Sequence, residues 1–137
     1  MLGALIAKSK VRKGFVSISQ GELDAFISIF AEDAVVIYPT KGSISGKRAI
    51  LEFYQHFIRT FPRIEAVPHS ICVENFFDLL GTNVLSAHFE VSTTNRKGTT
   101  FKQEGMLLIE TKLGRLTSAR YFFLDTEKLR HAWSESE

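Results

Sequence analysis

Leu23, Phe26, Ile27 and Phe30 fall at i, i+3, i+4 and i+7, one apolar stripe that predicts an amphipathic helix starting just after Gly21. Before it, residues 2–19 read as a helix on propensity, with Val11, Phe15 and Ile18 on one face and Gly21 as the break. Ala34-Val-Val-Ile-Tyr38 is a β-branched run closed by Pro39, which predicts a strand of about five residues. Thr40 to Gly46 is a loop by composition. A third helix is predicted over 47–60, burying Ile50, Phe53, Tyr54, Phe57, Ile58 and Phe61, and Pro62 stops it.

From Ile64 onward the period changes to two. Val67 to Phe77 reads as a strand, with Gly81-Thr-Asn83 as its turn. Leu85, Ala87, Phe89 and Val91 then alternate with Ser86, His88, Glu90 and Ser92, giving a strand with one dry and one wet face. Asn95 to Gly98 predicts a hairpin turn, with strands over 101–110 and 116–124 joined by Leu113-Gly114. Residues 125–133 read as a closing helical turn or two. Three helices followed by hairpins predict an α+β layout, with helices covering one face of a sheet.

At 137 residues the chain has the length of a single domain spanning 1–137, and nothing in it reads as a linker, repeat or low-complexity segment. A net charge of +2 would suggest nucleic acid, but its position argues otherwise. Lys8, Lys10, Arg12 and Lys13 are four of the 17 basic residues, and the remaining 13 face 15 acidic ones. The basic run is read as a solvated helix face, so neither nucleic acid nor a membrane is expected as a partner. The single Cys72 excludes an intramolecular disulfide and a Cys-rich metal site. The apolar start carries its charges after the apolar stretch, the reverse of a secretory signal, so a cytoplasmic location is expected. His56, His69, His88 and His131 show no metal-ligand spacing, and there is no phosphate loop or dinucleotide fingerprint, so no metal and no cofactor are expected.

Three stretches carry a resemblance. Phe30-Ala-Glu-Asp-Ala34 leads into an apolar strand, Pro39 and a Gly-bearing loop, and then Gly46-Lys-Arg-Ala-Ile50-Leu-Glu-Phe53-Tyr54. Further on come Glu110-Thr-Lys-Leu-Gly114-Arg-Leu116 and Phe123-Leu-Asp125. Their order and spacing, from about residue 15 to 133, resemble the nuclear transport factor 2-like superfamily, which includes ketosteroid isomerases, scytalone dehydratases and SnoaL-like polyketide cyclases. The resemblance implies a cone-shaped roll: three N-terminal helices packed on a curved antiparallel or mixed β-sheet, enclosing a pocket, often as a homodimer.

The resemblance also says where chemistry would sit. In ketosteroid isomerases a carboxylate just before the strand-ending Pro moves the proton; here Tyr38 holds that place. Gapless carry-over puts Gly14 and Met106 at the two oxyanion-hole positions, and only the helix-three tyrosine, Tyr54, is retained. Steroid-type isomerisation therefore lacks its base and both donors. On the registration carried from the family, Lys102, Glu104, Met106 and Leu108 face the cavity, and Glu104 becomes a general acid or base with Tyr38 and Tyr54 as hydrogen-bond donors. The opposite registration turns Gln103 inward and Glu104 to water, because a one-residue slip reverses every face. Phe53, Phe57, Phe89, Tyr121 and Phe123 are the remaining candidate wall, and His69 is a candidate at the open end. Asp125 reads as a cap or turn residue.

Two functions follow. One is a small-molecule protein with an apolar pocket that acts as a cofactor-independent acid–base isomerase, cyclase or dehydratase on a hydrophobic carbonyl compound. The other is a non-catalytic ligand-binding or assembly domain of the same fold. A buried carboxylate in the cavity favours the first; a wall of Phe, Met, Leu and Tyr alone favours the second. The expected partners are a small hydrophobic or aromatic ligand and a second copy of the chain, because outer sheet positions such as Phe122 are apolar.

Overall fold

The computed structural model describes residues 2–74 and 81–137. Helix α1 spans Leu2–Ser19, α2 Leu23–Ile27 and α3 Lys47–Thr60; strands β1 (Phe30–Tyr38) and β2 (Gly42–Ser45) lie between α2 and α3. Strands β3 (Arg63–Val73), β4 (Thr82–Thr94), β5 (Thr100–Lys112) and β6 (Arg115–Phe123) follow, and α4 (Thr126–Ser136) closes the chain. The six strands form one open mixed sheet in the order β2-β1-β6-β5-β4-β3, with β1 and β6 parallel and every other neighbouring pair antiparallel. The helices and the sheet's inner face enclose the core.

The local reasons are visible in the residues. On α3, Ile50, Phe53, Tyr54 and Phe57 are buried, the stripe that the 3.6-residue period dictates, and the helix ends at Thr60 with Phe61 as its cap, before Pro62. Gly46 precedes it at φ 90°, a conformation costly for any residue with a Cβ. Asp125 caps α4 by accepting a hydrogen bond from the Lys128 amide at 3.0 Å, as a cap residue should.

Several boundaries differ from the sequence expectation. Helix α2 stops at Ile27, and Phe30 instead opens a nine-residue β1. The helical stripe was real in spacing, but Phe30 is buried from a strand paired with Leu116. The loop at 40–46 contains the short strand β2, which pairs with β1 from Val35 to Tyr38. The strand expected at 67–77 runs from Arg63 to Val73, and residues 75–77 lie outside the described residues. Helix α4 has 11 residues, longer than a turn or two. Among the described residues, no helix is long and apolar enough to cross a membrane.

The largest correction concerns β5. Its buried residues are Phe101, Gln103, Gly105, Leu107, Ile109 and Thr111, so Lys102, Glu104, Met106 and Leu108 all face outward. Gly105 fixes this register. It pairs with Phe89 on β4 and Phe123 on β6, and a Cβ built on it would lie 2.4 Å from the Phe122 carbonyl oxygen and 3.0 Å from the Phe89 ring. Only a residue without a side chain fits beneath Phe89. With that one position set, the two-residue period of the strand sends its even-numbered side chains away from the cone.

Candidate functional site

A cavity of about 90 Å³ lies between the helices and the inner face of the sheet. Phe15 of α1, Phe57 of α3, Phe89 of β4, and Tyr121 and Phe123 of β6 are among its walls, with Tyr38 at the end of β1 and Tyr54 on α3. Its volume is smaller than the roughly 150 Å³ of an engineered cavity that admits benzene, so a ring-sized ligand enters only if a wall side chain gives way. Edge-to-face packing holds the aromatic wall: Phe89 meets Phe123 at 5.7 Å and Tyr38 meets Tyr121 at 5.2 Å between ring centroids.

The polar content of this wall is three hydroxyls. Those of Tyr54 and Tyr121 are hydrogen-bonded to each other, and the Tyr38 oxygen accepts from the Trp133 indole Nε1–H at 3.3 Å. Within the Tyr54–Tyr121 pair one O–H is spent on its neighbour and the other is not. Tyr38 uses its oxygen as acceptor and keeps its own O–H. Among the described residues, two hydroxyl protons therefore have no acceptor, so the wall offers donors.

Burial sets the charge state of these groups. It pushes the Tyr38 and Tyr54 phenols well above their usual range, and the neighbouring tyrosines oppose ionisation further. Tyr121 is only partly buried as a residue, but its hydroxyl is enclosed; burial raises it to about 12, against the lowering effect of its bond with Tyr54. All three are neutral phenols at physiological pH. They can donate a hydrogen bond to an oxygen and polarise it, and they cannot serve as ground-state bases.

The sequence candidates divide accordingly. Tyr38, Tyr54, Phe57, Phe89, Tyr121 and Phe123 line the cavity, and so does Gly14, the position to which the isomerase oxyanion tyrosine carries over. Phe53 stands behind the wall, packed on Tyr38, Tyr54 and Trp133. Glu104, Met106 and Leu108 are on the opposite face of the sheet, corrected by the β5 register. There the Glu104 carboxylate meets His88 Nε2 at 2.6 Å on the solvent-facing side of the sheet, outside the cavity. His69 also belongs to that outer face. Its Nε2 is 3.2 Å from Glu90 and its ring 5.1 Å from that of His88, so it stands away from the cavity. Sequence reasoning missed Trp133, whose indole links α4 to Tyr38. The usable signal was the only Trp of the chain, at helical spacing from Leu129.

The SnoaL-like domain family matches residues 11–119, most of the chain and all of the cavity-bearing part except its last wall residues. The chain belongs to the SnoaL-like domain family. Solved structures place this SnoaL-like domain within the NTF2-like fold. Bal32a, from a soil-derived mobile gene cassette, superposes with a TM-score of 0.77 at 20% identity over 98% of both chains. An LEH-like epoxide hydrolase of M. tuberculosis gives 0.77 at 14% identity, over 97% of this chain and 92% of that one. An NTF2-like protein of Burkholderia pseudomallei K96243 gives 0.76 at 14% identity, over 93% and 96%. At these identities the likeness is one of fold. No curated protein matches the chain.

Proposed function

We propose that this SnoaL-like domain binds a compact, uncharged, largely apolar molecule whose one polar feature is an oxygen acceptor such as a ketone or ether. The supporting observation is the cavity wall itself: its polar groups are the hydroxyls of Tyr38, Tyr54 and Tyr121, held neutral by burial, and no carboxylate or imidazole is among its lining residues. Burying a charged ligand against that wall would leave the charge without a partner, a large desolvation cost. A carbonyl oxygen, by contrast, satisfies the unused hydroxyl protons and adds no buried donor. The catalytic reading, cofactor-free isomerisation, cyclisation or dehydration, keeps two polarising donors in Tyr38 and Tyr54 and loses Glu104 as its base. Binding is therefore the function we assign. A thermal-shift screen of small neutral ketones, matched alcohols and matched carboxylates tests it, since a ligand of the native state raises apparent stability. Ketones alone raising the midpoint is the expected result. A preference for the carboxylates would refute the assignment.

We further propose that the unit in solution is a homodimer. Met106, Leu108, Phe122 and Leu124 are exposed large apolar side chains on or beside the outer face of the sheet, and Met106 sits opposite Phe122 in the β5–β6 register. The outer face of β4 is polar, so the apolar strip belongs to β5 and β6. An isologous two-fold contact lets one such strip cover another. A sedimentation mass equal to the 15.5 kDa monomer at micromolar concentration would exclude it.

A further inference from the structure

Helix α1 carries a feature that the cavity does not use. Its inner face, Ala4, Ala7, Val11, Phe15 and Ile18, is buried. Its outer face is also apolar over much of its length: Leu2 is 71% exposed, and Leu5, Ile6 and Val16 are exposed as well. At 100° per residue, Leu2, Leu5, Ile6, Ser9, Arg12, Lys13 and Val16 share the outward side, with Lys8 and Lys10 at its two margins. No acidic residue precedes Glu22. Next to the helix stands the β5–β6 turn, Lys112-Leu113-Gly114-Arg115. A Cβ built on Gly114 would lie 3.7 Å from Ile6 Cγ2, so the turn and the helix adjoin.

Leu113 is the tip of that turn. It is 80% exposed and adopts φ 50°, unusual for a bulky residue, while its amide donates to the Gly81 carbonyl at 2.8 Å. A leucine is thus fixed in solvent between two cations. Lys8, Lys10, Arg12, Lys13, Lys112 and Arg115 make no ion pair with any of the described residues.

We propose that this face, the outer side of α1 together with the Leu113 tip, docks onto an anionic lipid surface, with α1 lying in the interfacial plane. Charge complementarity selects an anionic partner: six cations without an ion pair among the described residues, and no carboxylate on the helix itself. The exposed leucines and isoleucine then separate lipid from nucleic acid. Phosphate recognition needs the cations alone, and base stacking needs aromatic platforms, whereas the only aromatic of α1, Phe15, is buried. Aliphatic side chains bordered by Lys and Arg are suited to the boundary between headgroups and acyl chains. This revises the expectation that the basic run is only a solvated face. The surface lies on the helical side of the sheet, away from the Met106–Phe122 strip, so it stays available in a dimer formed through that strip.

Co-sedimentation of the 137-residue chain with vesicles tests the proposal. Binding to vesicles of equal parts phosphatidylcholine and phosphatidylglycerol, without binding to phosphatidylcholine alone, is the expected result. Arg12→Ala with Lys13→Ala should lower the partition coefficient at least about ten-fold, since each cation near an anionic surface contributes about five-fold. Leu5→Ser with Leu113→Ser should also lower it, with the thermal midpoint unchanged because both side chains are exposed. Absence of vesicle binding overturns the proposal. So does binding indifferent to the leucine substitutions, or tighter binding to duplex DNA or an acidic peptide than to the mixed vesicles. The cavity assignment stands or falls separately, on the ketone screen.

Discussion

The indole N–H of Trp133 donates to the hydroxyl oxygen of Tyr38 across 3.3 Å, and this bond ties the final helix to the cavity wall. Trp133 is itself buried among Phe53, Phe57 and Phe61, so its N–H has no access to water if the acceptor is removed. Tyr38→Phe keeps the ring contacts with Phe53 and Tyr121 and deletes that acceptor together with the hydroxyl proton facing the cavity. It should destabilise the fold by about 1–3 kcal/mol, the cost of an orphaned buried donor. Urea unfolding measures it, and a change below about 0.5 kcal/mol would mean that the indole finds another partner.

Alkaline titration reads the tyrosines directly. The chain has three, Tyr38, Tyr54 and Tyr121, and all have raised folded-state values. Unfolded tyrosine titrates near 10, so the folded state prefers the neutral phenol. That preference contributes its full stability below about pH 10 and is lost as the pH rises through 10 toward the folded values, about 12 for Tyr121. Ultraviolet phenolate absorbance should therefore stay low past pH 10 and then rise together with unfolding. An early, independent titration of even one tyrosine would show its hydroxyl open to solvent.

Gly105→Ala tests the strand register. The new methyl group would meet the Phe122 carbonyl and the Phe89 ring at once. Neither is the free end of a flexible chain, so a loss of about 1–3 kcal/mol is expected from overpacking. Stability unchanged in calorimetry would contradict the close approach of β5 to Phe89.

How far the sequence could be read depended on how many constraints each segment carried. Helix α3 was legible because six apolar residues share its stripe and Pro62 marks its end. Strand β4 was legible because four apolar and four polar residues alternate without a break. The face of β5 was not, because Lys102, Glu104, Met106 and Leu108 alternate with Gln103, Gly105, Leu107 and Ile109, and neither set is plainly the drier one. The decisive residue was Gly105, whose meaning comes from Phe89 on another strand. The site was half legible for the same reason. Tyr38 and Tyr54 sit on elements whose faces could be read, whereas the bond between Tyr54 and Tyr121 joins residues 67 positions apart and leaves no local pattern.

Glu104→Gln separates the two sides of the sheet. Its carboxylate pairs with His88 on the exposed face, so the substitution should shift stability by no more than about 1 kcal/mol, as for other solvent-exposed pairs. Ligand affinity should be unchanged. A marked loss of affinity in a binding titration would bring Glu104 back into the site.

The most direct measurement is calorimetric titration of the chain with butanone and with its carboxylate counterpart propanoate, both compact enough for a cavity of about 90 Å³, repeated on the double variant Tyr54→Phe/Tyr121→Phe after confirming that it is folded. Binding of the ketone but not of the carboxylate is predicted, with affinity falling about ten-fold in the variant as the hydroxyl donors are removed. Equal or tighter binding of the carboxylate, or ketone affinity untouched by loss of both hydroxyls, would contradict a neutral cavity that recognises its ligand through tyrosine donors.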